Sequence, residues 1–286
     1  MRGLSLSGGG IKAAAHIGAL KAFEEEKIKF DCVSGASSGS IIATMYALGY
    51  SSDEMWKLFK KYYKKIKYVE WKQVIKMILG LIFTRRLVID GLNSGKVIEK
   101  IINEICKKSY VENINEIKMP LMISMVDLQK GTVYIASSQE KRKVLQDNTK
   151  YISDIPIATA VRASCSFPVV FSPCKFDGLQ LIDGGTRENL PWKGLKEYGA
   201  DEVYGIAFDT ILEKNQCCKN MIEVAARAME LQGRELANYE KEGIDHLITI
   251  CLKKVALLDS NQIDVVYKMG YEETKKQLNL LKKSTK

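Results

Sequence analysis

Gly35-Ala36-Ser37-Ser38-Gly39 matches the pattern G-x-S-x-G, which can carry a nucleophilic serine on a tight turn between a strand and a helix. Small neighbours let the backbone bend and let the hydroxyl project past the sheet edge. The apolar run Phe30 to Gly35 precedes the motif, and an Ala- and Met-containing helix from about Gly39 to Leu48 follows it. That helix aims its N-terminal dipole at the serine and favours developing negative charge there. A second turn, Gly8-Gly9-Gly10, also follows a strand-like segment, Gly3 to Ser7, and precedes a helix, Ile11 to Glu26. Its unshielded N–H groups can bind a phosphate or the oxyanion of an acyl-transfer intermediate. A nucleophilic serine needs a base. Asp183 closes the apolar run Leu179 to Ile182 and is followed by Gly184-Gly185, where the chain can turn sharply. A buried carboxylate in that position can take the serine proton.

Each motif has a plainer reading. The serine turn could be a helix cap and Asp-Gly-Gly an ordinary turn. Gly8-x-Gly10-x-x-Ala13 fits the dinucleotide fingerprint, so a catalytically silent nucleotide- or lipid-binding protein using the glycine loop is the rival reading. A dinucleotide site wants an acidic residue at the end of the second strand, where this chain has Ser37; Asp31 lies at the wrong end. The order Ser37, Asp183, His246 matches the chain order of α/β-hydrolase triads. His246, however, begins a strand, which predicts the amino edge of a parallel sheet, and His16 sits among alanines as a packed or surface residue.

The elements that must position these groups alternate. After the two strand-turn-helix units come basic helices from Ser52 to Arg86, a helix over Ser94 to Lys108, and a hairpin of Pro120 to Val126 with Gly131 to Ala136. A helix from Ile155 to Ser164 stops at Phe167-Pro168; strands at Gly178 to Ile182 and Glu202 to Phe208 flank a helix after Pro191. The tail reads as a helix near Met221 to Lys241, a strand His246 to Leu252 and a last helix from about Ser260 to Leu281. This predicts an α/β fold with a largely parallel sheet in one domain over residues 1–286, with a core at about 3–210, a basic helical insertion at about 52–92 and a C-terminal helical part at about 217–282.

The 286 residues carry a net charge of +9, which raises the question of an anionic partner. Eight lysines from Lys57 to Lys76 stand among Trp56, Tyr62, Tyr63, Tyr68 and Trp71, so the segment 56–86 is the predicted site of a peripheral contact with anionic membrane; Met77 to Phe83 could dip in or cover an acyl pocket. A solvated charged face is the bland alternative. No nucleic-acid motif is present, and no nucleic-acid partner is expected. The seven scattered cysteines and the absence of a signal-like start predict a cytoplasmic chain, peripheral at the membrane if the basic segment binds there. No metal or cofactor is expected.

The three motifs together, in this order, resemble the patatin-like phospholipases. Gly8-Gly9-Gly10-Ile11-Lys12 looks like that family's oxyanion loop, Gly35-Ala36-Ser37-Ser38-Gly39 like its nucleophile turn, and Asp183-Gly184-Gly185 like its base turn. Arg162 to Pro168 and Asn189-Leu190-Pro191 look like the flanking stretches. Lys12 stands where arginine is common and Ala13 where glycine is common. The resemblance covers about residues 3 to 210. It implies a three-layer fold with helices on both faces of the sheet, a phospholipase A-type activity on phospholipid or another acyl lipid, and a Ser37–Asp183 dyad without histidine. It also implies an oxyanion hole from Gly8, Gly9 and Gly10, with Lys12, Gly35, Gly39, Gly184 and Gly185 in supporting places.

Overall fold

In the computed structural model, residues 1–67, 69–86, 88–139, 148–209, 217–218, 221–252 and 262–284 are described. Strand β1 (Arg2–Leu6) leads through the glycine turn into α1 (Ala13–Glu25), and β2 (Cys32–Ala36) leads through the serine turn into α2 (Ser38–Ala47). Helices α3 (Ser52–Tyr62), α4 (Trp71–Thr84) and α5 (Lys96–Lys107) follow, then strands β3 (Leu121–Asp127), β4 (Val133–Ser137) and β5 (Thr149–Ile152). Next come α6 (Ile157–Ser164), β6 (Cys174–Phe176), β7 (Leu179–Asp183), α7 (Trp192–Tyr198) and β8 (Glu202–Asp209), and last α8 (Met221–Glu240), β9 (His246–Cys251) and α9 (Ile263–Ser284).

The sheet runs in the order β5-β4-β3-β2-β1-β8-β9, with parallel pairing along β3-β2-β1-β8-β9. β4 returns antiparallel to β3, as the hairpin predicts, and β7 also pairs antiparallel with β3. One face is covered mainly by α1, α2, α6 and α9. The other carries α7, whose Leu195 is buried with Cys32, Met122, Val133 and Val203. β2 and β3 are enclosed on both sides and buried at every position, so neither alternates apolar and exposed polar residues as a one-sided strand does. The result is an α/β fold with a largely parallel central sheet and helices around it.

Two strands escape the sequence reading. β6 has three residues and β5 has four that are only partly buried, so neither shows a hydrophobic period; pairing with β7 and β4 defines them. The last helix starts at Ile263, and the residues 253–261 before it lie outside the described set.

The basic segment divides into two unlike parts. α3 opens with a reciprocal cap, in which the Ser51 hydroxyl and the Glu54 carboxylate each satisfy the other's backbone N–H. Its aromatic residues face the protein: Trp56 stacks on Tyr267 of α9, and buried Tyr62 donates to Glu104 of α5 at 2.6 Å. Tyr63 stacks on Phe59. Tyr68 lies outside the described residues. α4 has only Gly80 fully buried.

Candidate active site

Strand β3 is the ruler that builds the site. β2 runs parallel to it and ends with Ala36 opposite Ser124; β7 runs antiparallel and ends with Asp183 opposite Met125, the next residue of β3. Two strand ends therefore meet head to head beside one strand. Ser37 leaves the first end and Asp183 forms the second, so residues remote in sequence share one short stretch of sheet edge. β1 ends beside β2, with Leu6 opposite Gly35, so the Gly8-Gly9-Gly10 turn opens at the same edge.

Ser37 is half-buried and has φ 49 and ψ −129, a conformation that costs a non-glycine residue on the order of 1–3 kcal/mol. The surroundings hold it there. Its N–H donates to the Ser164 hydroxyl of α6 at 2.9 Å, and its carbonyl accepts from the Ser40 N–H and hydroxyl at 2.9 and 2.6 Å. Its own hydroxyl makes no capping bond to α2. The backbone behind this turn is crowded: a Cβ on Gly39 would stand 2.4 Å from the Leu6 carbonyl oxygen, and one on Gly35 would stand 2.6 Å from the Gly39 backbone.

Asp183 is 2% exposed. Burial raises its carboxyl to about 7, against the opposing effects of the Ser37 hydroxyl and the Gly185 N–H. Oδ1 accepts that N–H at 2.8 Å, whereas Oδ2 makes no hydrogen bond of good geometry among the described residues. Gly184 lies against the Ser124 backbone, and the Asp183 N–H donates to the Ser166 carbonyl at 3.0 Å.

The glycine loop is anchored at both ends. The Gly8 N–H donates to Asn189 Oδ1 at 3.0 Å, with the Asn189 carbonyl at 3.3 Å, so this amide is already engaged. The amides of Gly9 and Gly10 make no hydrogen bond among the described residues, and both residues are half-buried. Lys12 is buried at the cap of α1. His16 is fully buried, with Nε2 2.7 Å from the Ser7 carbonyl and its ring 4.5 Å from that of Phe208. Burial lowers it to about 4, so it is a neutral group bracing the strand end. His246 sits at the opposite, amino edge, 2.7 Å from Glu202, and Asp31 also lies at that edge, accepting the Arg2 N–H.

Sequence reasoning misses three supports. Ser164 reads as one serine in a flanking stretch, and Asn189 only as part of Asn-Leu-Pro. Glu240, at the end of α8, carries no signal. Its carboxylate accepts the Asn189 and Leu190 N–H groups at 2.7 and 3.2 Å and so holds the segment that holds Gly8.

Residues 4–196 match the patatin-like phospholipase family. YqhO of Bacillus subtilis (strain 168) is 32% identical over 199 residues, spanning 67% of this chain and 66% of that protein. The lysophospholipase NTE1 of Candida albicans is 26% identical over 204 residues, 71% of this chain but 13% of its own. This chain thus matches just under two thirds of the one relative and a small part of the other. VipD from Legionella pneumophila has a similar fold, with a TM-score of 0.55 at 19% identity, covering 97% of this chain and 66% of that one. With its family motifs gathered at one sheet edge, the chain belongs to the patatin-like phospholipase family.

Proposed function

We propose that this protein is a phospholipase A-type acyl hydrolase that cleaves fatty acyl esters of lipids through a Ser37–Asp183 dyad. The observation that carries the reading is the buried Asp183 carboxyl, its pKa raised by burial against the opposing effect of the Ser37 hydroxyl, at the strand junction from which Ser37 emerges. Asp183 takes the hydroxyl proton as Ser37 Oγ bonds to the ester carbonyl carbon. The carbonyl oxygen becomes an oxyanion on the N–H groups of Gly9 and Gly10. Collapse breaks the bond to the alcohol, which leaves with the proton from Asp183. Water then gives a proton to Asp183 and attacks the acyl-enzyme; the fatty acid departs and Ser37 regains its proton. A single oxyanion donor is worth about 3–4 kcal/mol in the barrier. Gly8 supports this hole through its bond to Asn189 and does not donate to the oxyanion.

The strain at Ser37 supports the reading, because a serine serving only as a helix cap has no need of that conformation. The test is labelling by a fluorophosphonate probe, with fatty-acid release from mixed phospholipid vesicles, for wild type and Ser37→Ala. Labelling and release should both vanish in Ser37→Ala. Unchanged release in that variant rules the dyad out, and absence of labelling in the wild type returns the glycine loop to the nucleotide-binding reading.

A further inference from the structure

An ordinary surface helix turns its apolar stripe inward and its polar side to water. α4 is built the other way round. Trp71, Ile75, Ile78 and Ile82, spaced i, i+4, i+7 and i+11, form one stripe, and every one of them is exposed. Trp71 is 79% and Ile82 66% exposed, while Leu79 and Phe83 widen the stripe, Phe83 at 78%. The side toward the protein carries half-buried Gln73, Val74 and Met77 and buried Gly80, so the larger apolar side chains are the ones left outside. Lys72 and Lys76 flank the stripe, and Arg85 and Arg86 follow the helix, all exposed. Residues 71–89 contain no acidic residue, and the carboxylate of Glu70 is engaged by the Ser94 hydroxyl.

The helix is also tied to the rim of the site. The Glu70 N–H donates to the Leu92 carbonyl at 2.9 Å, and the Leu92 N–H donates to the Val169 carbonyl at 3.0 Å. Three residues before Val169, the Ser166 carbonyl accepts the Asp183 N–H. Between these points Phe167 and Val169 are exposed, and Val169 has φ 71, which is rare for a β-branched residue. At 14 residues α4 is too short to span a bilayer, and among the described residues no helix is long and apolar enough to do so.

We infer that α4, continued by Phe167 and Val169, is a docking face for an anionic phospholipid bilayer. The apolar stripe lies at the boundary between headgroups and acyl chains, while Lys72, Lys76, Arg85 and Arg86 meet anionic headgroups. The aromatic residues of α3 take no part, being packed against the protein. This inference rests on the lipid acyl hydrolase reading for its purpose, bringing the dyad to esters in a membrane, but not for its test.

The test is flotation of the full chain carrying Ser37→Ala, which leaves the lipid intact, with vesicles of phosphatidylcholine alone or mixed with phosphatidylglycerol. Binding should require phosphatidylglycerol. Lys72→Gln with Lys76→Gln should weaken it on the order of 30-fold, at about fivefold per cation removed. Ile82→Asn with Phe83→Asn should weaken it at least about tenfold, and these exposed changes should leave the melting temperature unmoved. A blue shift of tryptophan emission on binding should disappear in Trp71→Phe. Equal binding to both vesicle types, or undiminished binding by the α4 variants, overturns the docking face. So does a dimer in sedimentation that the Ile82/Phe83 changes dissolve, since the stripe would then belong to a second copy. Hydrolysis of a soluble ester without vesicle binding would sink the docking face and leave the hydrolase standing; vesicle binding without any hydrolysis would do the reverse.

Discussion

Asp183→Asn should inactivate the protein and stabilise it, with a stabilisation that depends on pH. In the fold the carboxyl stands at about 7 against an ordinary 3.8, and the cause is burial. The folded state therefore holds the proton more tightly than the unfolded chain does. Below pH 3.8 the group is protonated in both states and costs nothing. As the pH rises from 3.8 to about 7 the unfolded chain ionises first, and stability is progressively lost; above about 7 the loss is complete. The gap of about 3 pH units is worth about 4 kcal/mol at 1.36 kcal/mol per unit. Asparagine has the same shape and no charge, and its side-chain oxygen can keep the Gly185 N–H now held by Oδ1. At pH 8 the variant should gain up to about 4 kcal/mol, several degrees at roughly 2 °C per kcal/mol for a chain of this size. At pH 5 the gain should shrink to about 1–2 kcal/mol. The assay is a pair of melting curves for wild type and Asp183→Asn across pH 5 to 8, with ester turnover alongside. Wild-type turnover should rise with pH to a plateau above about 7 and fall about tenfold per unit below it, because only the carboxylate accepts a proton. A variant less stable than wild type at pH 8, or a difference flat in pH, would refute the claim that desolvation sets this carboxyl.

Gly8→Ala puts a Cβ 2.6 Å from Asn189 Oδ1 and 2.8 Å from the Ser37 Cβ, so the glycine loop must shift. kcat on a soluble ester should fall on the order of 10²–10³-fold with little change in KM. Glu240→Ala strips the part-buried Asn189 amide and the buried Leu190 amide of their acceptor, at about 2–4 kcal/mol of stability measured in denaturant, and should lower kcat through Asn189 and Gly8; Glu240→Gln, which keeps one acceptor, should fall between. Gly270→Ala at the α1–α9 crossing sets a Cβ 2.1 Å from the Ala15 carbonyl oxygen and should cost at least about 2 kcal/mol in the same denaturant assay.

Local chemistry is legible in the residues themselves. Gly35, Ser37 and Gly39 announce a tight strand-to-helix turn because only small residues let that backbone pack, and Gly8 to Gly10 and Asp183-Gly184-Gly185 do the same for their turns. The parallel core is readable from its apolar strands, and the placing of His246 follows from strand polarity.

What the chain does not state locally is decided by pairing and burial. That Asp183 lies beside Ser37 follows from β7 returning antiparallel on β3 just where β2 stops, a register set by partners far apart in sequence. The high pKa of Asp183 comes from the whole fold closing over it. Glu240 reads as one more acid at a helix end until Asn189 and Leu190 are seen to donate to it. The apolar run in α4 is visible in the sequence, yet its direction is not, because periodicity fixes which residues share a stripe and only packing fixes whether the stripe faces protein or water.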